Sequence, residues 1–164
     1  GYAEHDLLFK STGNLIRSYA ICRKYRSNFL FNVGPMPDGS LRTIDKGALE
    51  ILGLWSKLND EALHNPAPFK VEVQDKPENF MLNDGNNYYL FFNDLSMNGD
   101  ENVVINRDSN LNNIFTFHKK IKSVSWLDNG EALTFTQEGN TVNIQGKPYK
   151  YGTSYVVRIA KITT

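Results

Sequence analysis

Asn28-Phe29-Leu30-Phe31-Asn32-Val33-Gly34-Pro35 is the stretch on which the reading of this chain turns. It is apolar with no regular polar alternation, and it ends at a Gly-Pro breaker followed by Pro37-Asp38-Gly39. A short uninterrupted apolar run of this kind fits a strand covered on both faces, as in a parallel sheet. It is too short for a buried helix, and Gly34-Pro35 would end one. Helical periodicity lies on either side, over about 12–26 and 44–58. Helix, strand, helix is a piece of an α/β layer fold. One parallel strand, however, has no sheet. Its N–H and C=O groups need neighbours on both edges, and no strand of the same type precedes it. The partner strands are therefore expected outside this chain.

Outward from that stretch, Ser11 or Thr12 can cap the first helix, whose apolar positions are Leu15, Ile16, Tyr19 and Ala20, with Tyr25 at its margin. Arg23, Lys24 and Arg26 crowd its last turn and complement the helix dipole. In the second helix Thr43 is the cap and Asp45 lies in the first turn. Ala48, Leu49, Ile51, Leu52, Trp55 and Leu58 give it an apolar face, with Trp55 read as core. Asn65-Pro66-Ala67-Pro68 reads as a stiff connector and a domain boundary. Beyond it the period changes to two, with Phe69, Val71 and Val73 alternating with Lys70, Glu72 and Gln74. Further short strands are predicted at 80–82, 88–92, 103–105, 114–117 and 154–161. Two hairpins turn at Asp128-Asn129-Gly130 and Glu138-Gly139-Asn140, joining 123–127, 132–137 and 141–145. Short strands separated by turns predict an antiparallel sandwich, of a size to fold alone, whereas 1–63 should not.

Composition narrows the function. The 164 residues carry 18 Lys+Arg against 18 Asp+Glu, so no basic excess points to nucleic acid or an anionic membrane surface. Cys22 is the single cysteine, which excludes an intrachain disulfide and a CxxC metal site. No run is long enough to span a bilayer. The first residue is glycine, which fits a processed, cleaved or truncated chain. The aromatic content of 12% suits a β-rich domain or a sugar-binding surface. Glu4, His5 and Asp6 lie together, a possible metal ligand or base without a second histidine at ligand spacing, and read as a solvated loop. Asp38 follows the C-terminal end of the strand, where α/β folds carry chemistry, but Pro-Asp-Gly is also a turn sequence. No strand-end carboxylate pair of the kind a glycosidase needs, about 5–5.5 Å apart for retention, is evident. No cofactor and no metal site is predicted.

At this point the residues resemble a family. Phe29 to Gly39 is similar to the "NLLLNVGPMPDG" stretch of glycoside hydrolase family 29, the α-L-fucosidases. Residues 51–63 resemble that family's "IGEWLKVNGEAIY", and Gly1-Tyr2 with Lys10-Ser11 resemble the tail of its "WGY…KS" segment. Residues 133–141 more loosely resemble a strand pair of its C-terminal sandwich. The resemblance implies an α/β barrel fragment followed by an all-β antiparallel sandwich. Residues 1–65 would be the C-terminal part of a catalytic (β/α)8 barrel, with 28–33 as its last strand between the last two helices, and 66–164 the sandwich. It implies a retaining exo-α-L-fucosidase acting on fucosylated glycans, in a secreted, periplasmic or lysosomal-like compartment. The nucleophilic Asp and acid/base Glu would lie upstream, on the preceding part of the same enzyme or on a complementary chain, so this chain alone would be inactive. No catalytic residue is carried over. Tyr2, Asn32, Gly34 and Pro35 map to substrate-side positions. Asp60 replaces a usual glycine and His64-Asn65-Pro66 a usual "YGT" at the barrel-to-sandwich junction. The alternative is a non-catalytic carbohydrate-binding or structural sandwich with a helical preface, which leaves the lone strand unexplained.

Overall fold

The structure, a computed structural model, describes residues 8–93, 111–147 and 155–164. Three layers stack, with helices on a five-stranded sheet and that sheet on a three-stranded one. The helices are α1 (Thr12–Lys24), α2 (Thr43–Leu58) and the single turn α3 (Asp60–Leu63). The strands are β1 (Ala67–Phe69), β2 (Phe80–Asn83), β3 (Asn87–Phe92), β4 (Asn112–Thr116), β5 (Ser123–Trp126), β6 (Thr134–Glu138), β7 (Thr141–Gln145) and β8 (Arg158–Thr163). Their order is β1-β2-β3-β8-β5 in one sheet and β4-β7-β6 in the other. Every pairing is antiparallel, as the period-two pattern predicts.

The two sheets close on one core. Met81, Tyr88, Leu90, Phe92, Trp126 and Ile162 of the larger sheet meet Phe115, Val142 and Ile144 of the smaller. On the other face of the larger sheet Phe80, Leu82, Tyr89, Phe91 and Ile159 meet Ile16, Ala20, Leu52, Trp55, Ala62 and Leu63 of the helices. This double covering explains β3, where Tyr88 to Phe92 are all buried and no polar alternation survives. Trp55 is core, as expected from its sequence position, and its indole Nε1 donates to the Val157 carbonyl at 2.8 Å. Arg23 and Lys24, placed by sequence at a helix end, reach further and donate to the carbonyls of Pro66 and Pro77 at 2.9 and 2.8 Å.

Ser11 caps α1 by accepting from the Asn14 amide at 3.2 Å. Thr43 does not cap α2. It is the first helical residue, and Arg42 holds the cap position with its guanidinium on Asp45. The expected connector 65–68 runs directly into β1, and the ladder stops at Phe69 rather than continuing along the Val71–Val73 alternation. The turn at 138–141 is a true two-residue hairpin with Gly139 at φ +58°. The turn at 128–130 begins a hairpin, with the Trp126 amide donating to the Glu131 carbonyl at 2.9 Å, but β6 then leaves for the other sheet. The predicted strand at 103–105 and the start of the one at 154 lie outside the described residues.

The quoted stretch, expected to be covered on both faces once its partner strands are present, is covered on one face among the described residues. Residues 28–35 are extended, but no strand pairs with them among the described residues. Phe29, Phe31 and Val33 are half-buried, and Phe29 packs on the helices, stacking on Tyr19 at 5.3 Å. Leu30 is 80% exposed and Asn32 faces solvent too. The helices cover one row of side chains, and nothing described covers the other. Exposed apolar residues continue onto α2, where Ile44, Ile51, Leu54 and Leu58 share one helical stripe.

A polar cluster ties α3 to the sheet. The Tyr89 hydroxyl lies 2.7 Å from both Glu61 Oε1 and Asp84 Oδ2, and Lys161 Nζ donates to Glu61. Partial desolvation of Asp84 would push its carboxyl up, but hydrogen bonds from the Asn87 and Asn86 amides and the Tyr89 hydroxyl outweigh it and hold the pKa at about 2. A carboxyl held below its ordinary value of 3.8 stabilises the fold above that value, and the contribution fades as pH falls toward 2. Because Asp84 is exposed, the contribution is set at about 1 kcal/mol. Urea unfolding between pH 4 and pH 2 is therefore expected to lose about that much stability in the parent and less in Asp84→Asn. Equal slopes in the two proteins would show that the hydrogen bonds to Asp84 carry no weight.

Candidate functional site

A groove of about 360 Å³ is lined by residues 29–34. Phe9 and Lys10 form one wall, Leu15 and Ser18 of α1 a second, and Arg42, Asp45 and Ala48 at the start of α2 the third. The extended backbone exists because Gly34-Pro35 and the following turn reverse the chain into α2. The Pro37-Asp38-Gly39 reading as a turn holds. Gly39 has φ +82°, its amide donates to the Met36 carbonyl at 2.8 Å, and the Met36 amide donates to Ser40 at 2.7 Å. Asp38 Oδ1 accepts from the Ser40 amide at 2.9 Å and from the Ser40 hydroxyl at 2.7 Å. Those two bonds lower its pKa. Asp38 is thus occupied in its own turn and does not line the groove.

The groove's charged lining is the Arg42–Asp45 ion pair together with Lys10. Arg42 Nε donates to Asp45 Oδ2 at 2.8 Å, and the guanidinium lies 4.8 Å from the Phe9 ring centroid. Asp45 is buried, so its charge is neutralised in place. Asn32 and Gly34 both line the groove, and the Asn32 amide makes no hydrogen bond among the described residues. Pro35 is exposed just beyond the groove. Tyr2, and the Glu4-His5-Asp6 group, lie outside the described residues. Among the described residues the groove holds a single carboxylate, Asp45, and that one is paired, so these residues supply no nucleophile and acid of their own. The same residues contain no cluster of three or more His, Cys, Asp or Glu able to hold a metal, and no helix long and apolar enough to cross a membrane.

Two features escaped the sequence reading. The Arg42–Asp45 pair was signalled by i,i+3 spacing across a helix start. A second groove, of about 440 Å³, opens at the mouth of the sandwich between Phe69 and Phe117. Its aromatic residues are scattered over three segments, so no local pattern announced it.

No family model matches the sequence, and no curated protein sequence matches it. Solved structures do match. An α-L-fucosynthase from Thermotoga maritima superposes with a TM-score of 0.75 at 18% identity, over 99% of this chain and 36% of that one. The α-L-fucosidase isoenzyme 1 from Paenibacillus thiaminolyticus gives 0.75 at 15% identity, over 99% and 37%. A family 29 α-L-fucosidase from Bacteroides thetaiotaomicron gives 0.71 at 18% identity, over 95% and 33%. The chain therefore spans about a third of the length of the structures it matches. It has the fold of a C-terminal portion of the α-L-fucosidases.

Proposed function

We propose that this chain is the C-terminal part of a retaining exo-α-L-fucosidase that removes terminal fucose from glycans, the nucleophile and acid/base being supplied by sequence upstream of it. Residues 1–65 then complete the catalytic barrel, with 28–33 as its last strand, and 66–164 form the accompanying sandwich. One observation carries this reading. Among the described residues, 29–33 present a covered row of side chains, a bare row and two unpaired backbone edges. An extended segment in that state satisfies its backbone only when strands join it on both sides. A barrel strand has this division, with one row toward the helices and one toward the barrel interior. The exposed stripe on α2 from Ile44 to Leu58 would be covered by the first barrel helix, which closes the ring beside the last. The matched fold supports the same arrangement.

In this reading Tyr2, Asn32, Gly34 and Pro35 sit at the end of the barrel that faces substrate. Asn32 is the residue with an uncommitted amide, and its role is to hold a sugar hydroxyl. The test is activity on an aryl α-L-fucoside with the product anomer followed by NMR. The chain alone is expected to give no turnover, whereas the chain joined to or mixed with the upstream portion gives the α-anomer first. Asn32→Ala in that assembly should lower kcat/KM by about 10- to 100-fold, the worth of one hydrogen bond to a buried polar group. Turnover by the purified chain alone, abolished by a substitution within it, would refute the reading.

A further inference from the structure

We infer that the groove at the mouth of the sandwich is a binding site for a glycan bearing an anionic substituent, a sulfate ester or a carboxylate. The site is separate from the groove along residues 29–34, and it lies wholly on β1, β3, the end of β4 and the segments after β1 and β4. Its floor is a cluster of three rings. Phe69 meets Tyr88 edge-on at 5.0 Å and Phe117 at 6.0 Å, while Tyr88 and Phe117 lie 4.9 Å apart. Tyr88 and Phe117 are buried, and Phe69 alone keeps a third of its surface open. Two buried neighbours thus fix the orientation of one exposed ring. A pyranose presents a face of C–H groups that packs on such a ring, while its edge hydroxyls need polar partners. Thr116, His118 and Lys119 stand at that rim.

Charge decides the class of glycan. Lys70, His118 and Lys119 line the groove against the single carboxylate of Glu72. None of these three basic side chains has a carboxylate partner among the described residues. The Lys119 ammonium is held 5.2 Å from the Tyr88 ring centroid. A cation placed over an aromatic face beside an apolar floor is partly ordered before any ligand arrives, and a sulfate or carboxylate completes its shell. The volume of about 440 Å³ lies within the range of small-ligand sites and accommodates a short oligosaccharide segment.

The test is a titration of the full 164-residue chain, followed by amide NMR and calorimetry, with three oligosaccharides: one sulfated, one carrying a uronic acid, and their neutral counterpart. Binding of either anionic sugar is expected, with shifts confined to 69–72, 88 and 116–119, affinity falling as salt rises, and the neutral sugar about tenfold weaker. The anionic sugar that binds identifies the substituent. Lys119→Gln, a surface change that leaves the core intact, and Phe69→Ala should each weaken binding about tenfold. The inference is overturned by no binding, by equal binding of the neutral sugar, by shifts elsewhere, or by a Lys119→Gln protein that binds unchanged. Binding that survives Phe69→Ala in a protein that still melts cooperatively also overturns it, since bare charge attraction would then suffice. None of these readouts involves turnover, so this inference and the fucosidase reading fail or stand separately.

Discussion

Asp128→Ala is expected to destabilise the protein by about 3–5 kcal/mol and to lower its melting temperature by roughly 10 °C. The reason lies in Arg158, an arginine in a strand otherwise largely apolar. Its Nε and Nη2 donate to the two oxygens of Asp128 at 2.7 and 2.9 Å, and the two side chains are 4% and 2% exposed. The guanidinium is sandwiched, 4.3 Å from the Trp126 ring centroid and 4.9 Å from that of Tyr155. Removing the carboxylate strands a positive charge in an apolar enclosure, and it is that uncompensated charge that costs stability. The double variant Asp128→Ala/Arg158→Met should therefore be more stable than Asp128→Ala alone. Thermal and urea unfolding of the three proteins decides it. A single variant within 1 kcal/mol of the parent would mean that water reaches the guanidinium.

Deleting residues 1–65 is expected to have a still larger effect. Composition and turn spacing suggested that the sandwich folds by itself, because it has its own alternating faces and hairpins. The structure supplies a reason to expect otherwise. The helices cover Phe80, Leu82, Phe91 and Ile159 on the back of the larger sheet. At about 1.5–3 kcal/mol for each large apolar side chain, uncovering four of them forfeits roughly 6–12 kcal/mol. That is comparable with the whole stability of an ordinary domain. The fragment from Pro66 onward should therefore bind a hydrophobic dye, aggregate at micromolar concentration and lack a cooperative melt. A sharp thermal transition in a monomeric fragment would show that this sheet face tolerates water.

What could be read from the residues alone depended on whether the signal was local. The two long helices, the Gly139 hairpin and the Pro37-Asp38-Gly39 turn each follow from neighbouring residues, and the structure has them. The antiparallel sandwich followed from period two. The continuous run at 88–92 is buried on both sides because helices and a second sheet flank it. The same kind of run at 28–33 invited the same conclusion, yet its second cover is not among the described residues. Apolarity reports what a segment requires, not whether the chain in hand provides it. The site was legible only in part. Asn32 and Gly34 do line a groove, while Pro35 sits beyond it and Tyr2 lies outside the described residues. The Arg158–Asp128 pair and the aromatic groove join residues far apart in the chain, and no spacing rule reaches that far.

The central position of β8 between β3 and β5 sets a schedule for synthesis. Strands β1 to β3 form a contiguous meander, but the inner edge of β3 has no partner until residues 158–163 arrive. Residues 93–157 separate them, several seconds of translation at about 5–20 residues per second. During that interval Tyr88 to Phe92 would form a strongly apolar edge open to any passing strand. The nascent chain is therefore most vulnerable between the synthesis of β3 and that of β8, and a ribosome stalled shortly before Arg158 would release a product that the cell must hold or degrade.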